Sequence, residues 1–387
     1  MKAKCRIRET VLLVVLLVIT GRVQAADAIE PIELVLSSPI ANQVIQRTGF
    51  DSRHAHEHHA GGPILGEAEV SIQGNWPQEI ENVKAEDVVC EAKLQRLEGA
   101  FGRDLDWTAC RLKREGTRWS SSLRTPAGGW YKLDVRLRTG GESTGAKIIA
   151  AGSVLPIGVG EVFVVAGQSY AEGTNDERLR VEDKFGRVVA FDLVKGTWQV
   201  AHDPIPNKAD GGSIWPPLGD LLVPTARVPI AFVNVAVGGT ASRQWMPGEK
   251  LYEDLKAAGL KIGRFRAVLW QQGESDVIED ISTETYVKRL TTIRGELIKS
   301  WGFEPAWLPA KSTLHPTVYN FPDREQRIRE AIDQLWQTTG FRPGPDTDIL
   351  ANENRGGPQT RRHFSGIGQR RAALLWFNAV WNEINRQ

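Results

Sequence analysis

Cysteine is scarce: the 387 residues hold three, Cys5, Cys90 and Cys110. Without a Cys-x-x-Cys pair or a zinc-ligand spacing, a dithiol redox motif and a zinc ribbon are excluded. Charge of one sign is also lacking. The formal net charge is +1, and residues 1–25 contribute +4 of it through Lys2, Lys4, Arg6, Arg8 and Arg22 against Glu9, which leaves about −3 for the rest. No electrostatic footprint for nucleic acid is present, so none is expected as a partner. There is no glycine-rich phosphate loop with its lysine, and no Gly-x-Ser-x-Gly elbow. The apolar run from Val11 to Thr20 is too short to span a bilayer comfortably.

That run fits a different purpose. It follows a basic stretch, Lys2 to Arg8, and ends at Val23-Gln24-Ala25 with small residues in the places a signal peptidase requires. Residues 1–25 are therefore read as a secretory signal cleaved after Ala25. The mature protein is expected in the periplasm or outside the cell, with no membrane attachment. Cys5 leaves with the signal. Cys90 and Cys110 lie in strand-like runs, and two outcomes stay open: one disulfide, or two separate buried thiols.

With apolar residues at 41%, the chain has material for real cores, and its length suits two domains. Residues 26–157 read as β. Ile32 to Leu36, Glu67 to Ile72, Val88 to Leu97, Tyr131 to Leu137 and Lys147 to Ala151 are short runs broken by Gly, Pro and Asn. Tyr131, Leu133, Val135 and Leu137 alternate with charged residues, a half-buried strand. A β-sandwich is expected. From 158 to 387 the pattern changes to strands alternating with helices. Val162 to Ala166, Val228 to Val237 and Phe265 to Trp270 are apolar strands. Tyr286, Leu290, Ile293, Leu297 and Trp301 step by 4, 3, 4 and 4 and stop at Gly302. Ile328, Ile332 and Leu335 form a second stripe, opened by Asp323 with Gln326 three residues on. Leu374, Phe377, Trp381 and Ile384 form a third, with Ser365 as cap. This alternation predicts a mostly parallel sheet with helices on both faces. Glu172 to Ser213 reads as irregular loops near the active site.

Chemistry concentrates at strand ends. Gly167 permits a sharp turn out of the Val162–Ala166 strand, and Ser169 stands just beyond its carboxyl end, where open α/β sheets place ligands. Gly238-Gly239-Thr240 follows the next strand and can bring a backbone N–H to a developing oxyanion, or be an ordinary turn. Gln271-Gln272-Gly273-Glu274-Ser275-Asp276 follows the third. Gln272 can offer an amide N–H to the same oxyanion, while Glu274 and Asp276 fix neighbouring loops or cap a helix. His363 precedes the last helix and becomes a base only with a partner in reach.

This ordered set resembles the SGNH-hydrolase superfamily, in its sialate O-acetylesterase-like and acetylxylan esterase branch. The matching pieces are Gly167-Gln168-Ser169, Gly238-Gly239-Thr240 with Trp245, Gln272 to Asp276, and His363-Phe364. The resemblance covers about residues 160–387 and implies a flavodoxin-like three-layer α/β/α fold and a cofactor-free, metal-free esterase. By that resemblance Ser169 is the nucleophile and His363 the base. The N–H groups of Ser169 and Gly239 with the Gln272 side chain form the oxyanion hole, and Gln168, Glu274, Asp276 and Thr240 support them. The sequence departs from the family twice. The family usually has Asp three residues before the histidine, where this chain has Thr360, and Tyr170 follows the serine where Asn is common. Either a Ser–His dyad operates, or another carboxylate substitutes: Glu353, Asp348, Asp346 or Glu274.

His54, His56, His58 and His59 make a histidine-rich tract without a built second shell, and no metal is assigned to it. Trp215 and Trp245 fall in predicted active-site loops, as sugar platforms or as packing. The expected function is a serine esterase acting on O-acetylated carbohydrate through an acetyl-serine. The alternatives are a carbohydrate-binding protein whose hydrolase site has decayed, and a lipid or thioester hydrolase on the same fold.

Overall fold

One long strand organises the chain, and the element numbering follows from its place in the order. The computed structural model describes residues 30–52, 65–140, 147–315, 321–357 and 362–386. The signal-like segment, the four histidines from His54 to His59, and Thr360 lie outside the described residues. The β-rich part runs β1 (Ile32–Glu33), β2 (Leu36–Ser38), β3 (Gln43–Gln46), β4 (Glu67–Asn75), β5 (Val88–Phe101), β6 (Leu105–Cys110), β7 (Lys113–Glu115), β8 (Arg118–Pro126) and β9 (Gly128–Thr139). Then comes β10, a 21-residue strand from Lys147 to Gly167. It is followed by α1 (Ser169–Glu172), β11 (Val188–Asp192), β12 (Thr197–Val200), α2 (Trp215–Ala226), β13 (Ile230–Asn234), α3 (Lys250–Ile262), β14 (Ala267–Gln271), α4 (Glu274–Ile278), α5 (Thr283–Trp301), β15 (Ala306–Ala310), α6 (Pro322–Trp336) and α7 (Gly366–Ile384).

The first half of β10 pairs antiparallel with β9, which pairs in turn with β5 and then β6. The second half pairs in parallel with β13 on one side and β14 on the other. The expected domain boundary at 157/158 falls inside this strand, and residues Ile32–Gln387 form one compact unit. Pro156 to Gly160 mark the expected boundary. In the structure they lie where β10 changes partners, and its pairing with β9 shifts register between Val154, Ile157 and Val159. The smaller sheet, β2-β4-β8-β7, shares an apolar cluster with the larger one. Ile72, Trp119 and Leu123 meet Cys90, Leu94, Leu133 and Val135 there. Cys90 and Cys110 are direct cross-strand partners, both free thiols, and burial pushes Cys90 up to about 12.

In the α/β part the parallel strands order as β11-β13-β10-β14-β15, and β12 closes one edge antiparallel. Continuous apolar strands need cover on both faces, and the alternation along β10 supplies it. Phe163 and Val165 pack with Leu218 and Leu222 of α2 and Trp376 and Val380 of α7. Val162, Val164 and Ala166 pack on the other face with Leu255 of α3, Leu290 and Ile293 of α5, and Ile332 of α6. This is the predicted mostly parallel sheet between two helix layers.

The predicted stripe of α5 is its buried face, the helix is capped by Ser282 accepting from Thr285 N, and Gly302 closes it in the left-handed conformation. Two helix readings need correction. In α6 the helix starts one residue before the expected Asp323 cap, because Pro322 with its fixed φ takes the first position. In α7 the buried face is Gln369, Ala372, Ala373, Trp376, Val380 and Ile384, and Leu374 is 49% exposed. The segment 172–213, read as loops, contains the β11–β12 hairpin.

Candidate active site

Counted in chain order with the β11–β12 hairpin set aside, the strands β13-β10-β14-β15 run 2-1-3-4. The order therefore switches direction between β10 and β14, where crevices at strand carboxyl ends hold ligands. Both strands end at that crevice in the expected motifs. Gly167 adopts φ +126, and a Cβ there would lie 2.1 Å from Gln271 O, so only glycine lets the two strand ends approach this closely. Ser169 follows as the first residue of α1, 9% exposed. The N-cap residue, Gln168, gives no side-chain cap, and the Ser169 N–H has no acceptor among the described residues. An uncapped helix start beside a hydroxyl is an anion-receptive place, although one turn of helix contributes little dipole.

The Gly238-Gly239 turn lies against the serine. A Cβ built on Gly238 would be 3.7 Å from Ser169 Cβ. Gly238 N donates to Glu172 Oε2 at 2.7 Å. Gly239 adopts φ +71 and faces open space, and its N–H has no acceptor among the described residues. Two backbone donors, Ser169 N–H and Gly239 N–H, are thus unclaimed in this corner.

Gln272 departs from the expected donor role. It is wholly buried, and its Nε2 donates to Asp276 Oδ2 at 2.5 Å, Thr240 O at 3.1 Å and Gln168 Oε1 at 3.3 Å. Its Oε1 accepts from Tyr286 Oη at 2.9 Å. With both amide hydrogens committed, nothing remains for an oxyanion, and Gln272 acts as a clamp between the second and third motifs. Asp276 completes the clamp, accepting from Ser242 N at 2.7 Å, Ser242 Oγ at 2.5 Å and Arg289 Nη1 at 3.3 Å. Burial pushes its carboxyl up in spite of these donors. Gln168 Oε1 also accepts from Ser275 N at 3.2 Å, and Thr240 Oγ1 donates to Val237 O at 2.8 Å. The supporting roles expected for Gln168, Thr240 and Asp276 are therefore structural ties. Glu274 is buried, with Oε1 accepting from Ser312 Oγ at 2.8 Å, and burial pushes it up to about 8.

His363 arrives from the far end of the chain on a docked loop. Phe364 N donates to Asn175 Oδ1 at 3.1 Å and Asp176 N to Phe364 O at 3.1 Å, which binds the loop to the segment after α1. The His363 ring lies edge-on to Tyr170, with centroids 5.2 Å apart, so the imidazole stands over the residue next to Ser169. Tyr170 Oη donates to Arg362 O at 2.6 Å and receives a hydrogen bond from buried Arg355, whose guanidinium also lies 4.8 Å from the Phe364 ring. Tyr170, the departure from the usual Asn, is thus the contact that seats the histidine loop. Burial, with Arg362 and Arg355 adding, holds the imidazole down at about 4, so it is neutral at pH 7.

None of the carboxylates considered as the third triad member reaches His363. Asp348 accepts from Thr313 N, Thr313 Oγ1, Leu314 N and Arg329 Nη1, all within 2.9 Å. Asp346 is bound to Arg329 and exposed Glu353 to Arg371. Among the described residues nothing accepts a hydrogen bond from the His363 ring. Trp215 and Trp245 are wholly buried, donating to Ala171 O and Thr240 Oγ1, so neither is a sugar platform. Among the described residues no three His, Cys, Asp or Glu side chains converge as a metal site requires.

Three residues of this corner escaped sequence reasoning: Glu172, Arg355 and His315, whose ring is 6.0 Å from that of His363 and held down at about 3 by burial. The polar run Ser312-Thr313-Leu314-His315 after β15 was a usable signal, since it too follows a strand's carboxyl end. Arg355 carried none.

The fold and this corner define a class: a flavodoxin-like α/β protein with a serine at the switch point and a histidine, distant in sequence, against the ring of the residue that follows it. Residues 159–304 match the family model of carbohydrate esterases described as sialic acid-specific acetylesterase. The match ends before His363. A probable carbohydrate esterase of Arabidopsis thaliana is 32% identical over 159 residues, 34% of this chain, and the chain spans 60% of that relative's length. The crystal structure of a carbohydrate acetylesterase from Xanthomonas citri shares the fold, with a TM-score of 0.52 at 16% identity over 90% of this chain and 74% of that one. The solved structure of an Arabidopsis thaliana protein aligns with a TM-score of 0.46 at 20% identity, over 58% of this chain and 98% of that one.

Proposed function

We propose that this protein is a serine esterase that removes O-acetyl groups from carbohydrate, and that it works in the periplasm or outside the cell after loss of residues 1–25. The observation that carries this reading is the meeting of Ser169 with two unclaimed backbone N–H groups, with the neutral imidazole of His363 against the ring of the adjoining Tyr170. Ser169 Oγ attacks the acetyl carbonyl while His363 takes its proton. The carbonyl oxygen, now anionic, is held by Ser169 N–H and Gly239 N–H. Collapse expels the sugar hydroxyl, which recovers the proton from His363, and leaves an acetyl-serine. Water then attacks that ester by the same route in reverse and frees acetate. No cofactor enters this scheme. Residues 26–157 are read as an accessory domain of β-sandwich type attached to the catalytic domain at 158–387.

A second reading has its own observation. No carboxylate among the described residues steadies an imidazolium at His363, and Arg355 and Arg362 oppose one. The decayed-site reading, a carbohydrate-binding protein without turnover, follows from that. Acetate release from acetylated xylan, O-acetyl sialic acid and 4-nitrophenyl acetate separates the two. Under the esterase reading the parent releases acetate, Ser169→Ala releases none, and His363→Ala falls by roughly 10²-fold or more. Glycan binding with no acetate release and no labelling of Ser169 by a fluorophosphonate would establish the decayed site instead.

A further inference from the structure

Two adjacent glycines leave a peptide plane free to rotate unless something holds it. In the Gly238-Gly239 turn, what holds the first glycine is a carboxylate from the nucleophile's own helix. Glu172 lies three residues after Ser169 in α1, is 7% exposed, and accepts the Gly238 N–H at Oε2 over 2.7 Å. The position a Gly238 Cβ would take is 2.7 Å from Glu172 Oε2 and 3.7 Å from Ser169 Cβ, so carboxylate, turn and nucleophile meet at one point. The backbone of Glu172 is itself pinned: its carbonyl receives Asn207 Nδ2 and, at 3.4 Å, Asn234 Nδ2 from the end of β13. Upstream, Val237 N donates to Gly167 O at 3.0 Å, so Glu172 is the tie between that backbone anchor and the open Gly239.

We propose that Glu172 is a positioning residue that sets the oxyanion-binding turn: by taking the Gly238 N–H it fixes the glycine pair, and Gly239 N–H is left as the donor to the reacting carbonyl. This rests on the esterase reading and adds to it a residue that no family motif above contains. The carboxylate contributes an acceptor here. Its charge is a liability, because a second negative charge beside a forming oxyanion opposes it. The neutral amide of the same length therefore serves as well, and a side chain of the same length without oxygen does not.

The test compares Glu172→Gln and Glu172→Met in the full chain, on 4-nitrophenyl acetate and acetylated xylan, with thermal melts beside the kinetics. Glu172→Gln is expected to keep kcat within about 3-fold of the parent or to exceed it. Glu172→Met is expected to lose roughly 10- to 100-fold in kcat with KM within about 2-fold, because losing a whole oxyanion donor costs about 10²- to 10³-fold and a misplaced one costs less. Fluorophosphonate labelling of Ser169 is expected to slow in the same ratio. The proposal is overturned by a Met variant with parental kcat, by a Gln variant as slow as Met, or by a Met variant that fails to fold while Gln folds, since that makes Glu172 a folding requirement. A parent that neither releases acetate nor labels at Ser169 removes the esterase reading and this proposal together, whereas an active parent with an indifferent Glu172→Met removes the proposal alone.

Discussion

In the proposed mechanism His363 gains a proton where three features resist it: burial, Arg362 beside it in the chain, and Arg355 beneath Tyr170. Loss of a triad acid costs about 10⁴ in turnover in serine proteases, so a low kcat is the expected cost of this environment. The same environment makes a prediction about pH. A group held down at about 4 is in its neutral, proton-accepting form at every pH above that value. The base is therefore available through the weakly acidic range, and kcat/KM is expected to be flat from about pH 5.5 to 8, falling only as pH approaches 4. Arg362→Gln, which removes one of the opposing charges, shifts the acidic limb upward. The rate of fluorophosphonate labelling measures the same limb if turnover is slow. An acidic limb centred at 6.5 or higher means that a carboxylate stands at the His363 ring, and it would sink this account of the site.

At the scale of elements, the helix α4 carries a cost in its first residue. Glu274 is wholly buried, its Oε2 has no hydrogen-bond partner, and burial holds its carboxyl at about 8 against an ordinary 4.5. The folded protein thus keeps a proton that the unfolded chain releases. Where the folded state binds more protons, stability falls as pH rises, here between about 4.5 and about 8, and it is level above. The steepest slope is about 1.4 kcal/mol per pH unit for one group. Glu274→Gln removes that slope. Urea unfolding at pH 5, 7 and 9 is expected to give little difference between variant and parent at pH 5 and a more stable variant at pH 9; equal curves at all three values refute the assignment. Elements differ in how openly the sequence announces them. The buried face and the end of α5 were legible because its five large apolar side chains share one face and Gly302 closes it, while its start at the Ser282 cap was not read. In α7 the face is built from Ala372 and Ala373 around Trp376, with Gln369 buried by bonds to Glu177 O and Ser213 O, while larger residues stay outside. Size ranked the wrong face because tertiary packing asked for small residues. The places of Ser169 and the Gly238-Gly239 turn beyond the ends of β10 and β13 were legible because apolar strand runs closed by glycine stand out in the sequence. The occupation of Gln272 was not, since its acceptors Asp276, Thr240 and Gln168 come from three different motifs.

At the scale of the whole molecule, β10 belongs to both the antiparallel and the parallel pairings, and an ion cluster sits where it changes partners. Glu161 is wholly buried in that strand. It accepts from Arg47, just after β3, at 2.8 Å, from Gln46 at 2.8 Å, and from Arg266, just before β14, at 2.8 and 2.9 Å. Burial alone would raise its carboxyl, but Arg266 and Arg47 outweigh burial and hold it down at about 2. Neither Arg47 nor Glu161 exposes any side-chain surface. A buried pair adds little over an apolar filling, yet removing one member strands the other's charge. Glu161→Gln leaves two guanidinium groups facing an amide, and a loss of roughly 3–5 kcal/mol is expected from urea unfolding at pH 7. Because the cluster joins β3, β10 and the start of β14, tryptophan fluorescence and far-ultraviolet circular dichroism should report the loss at one shared midpoint. The pH dependence has a definite sign: a carboxyl whose folded value lies below its unfolded value contributes stability above about 4.5, and that contribution disappears as pH falls toward 2. The parent should therefore lose stability over that acidic window more steeply than Glu161→Gln does. A variant within 1 kcal/mol of the parent at pH 7, with the same acid profile, would mean that apolar packing alone holds the two kinds of pairing together along β10.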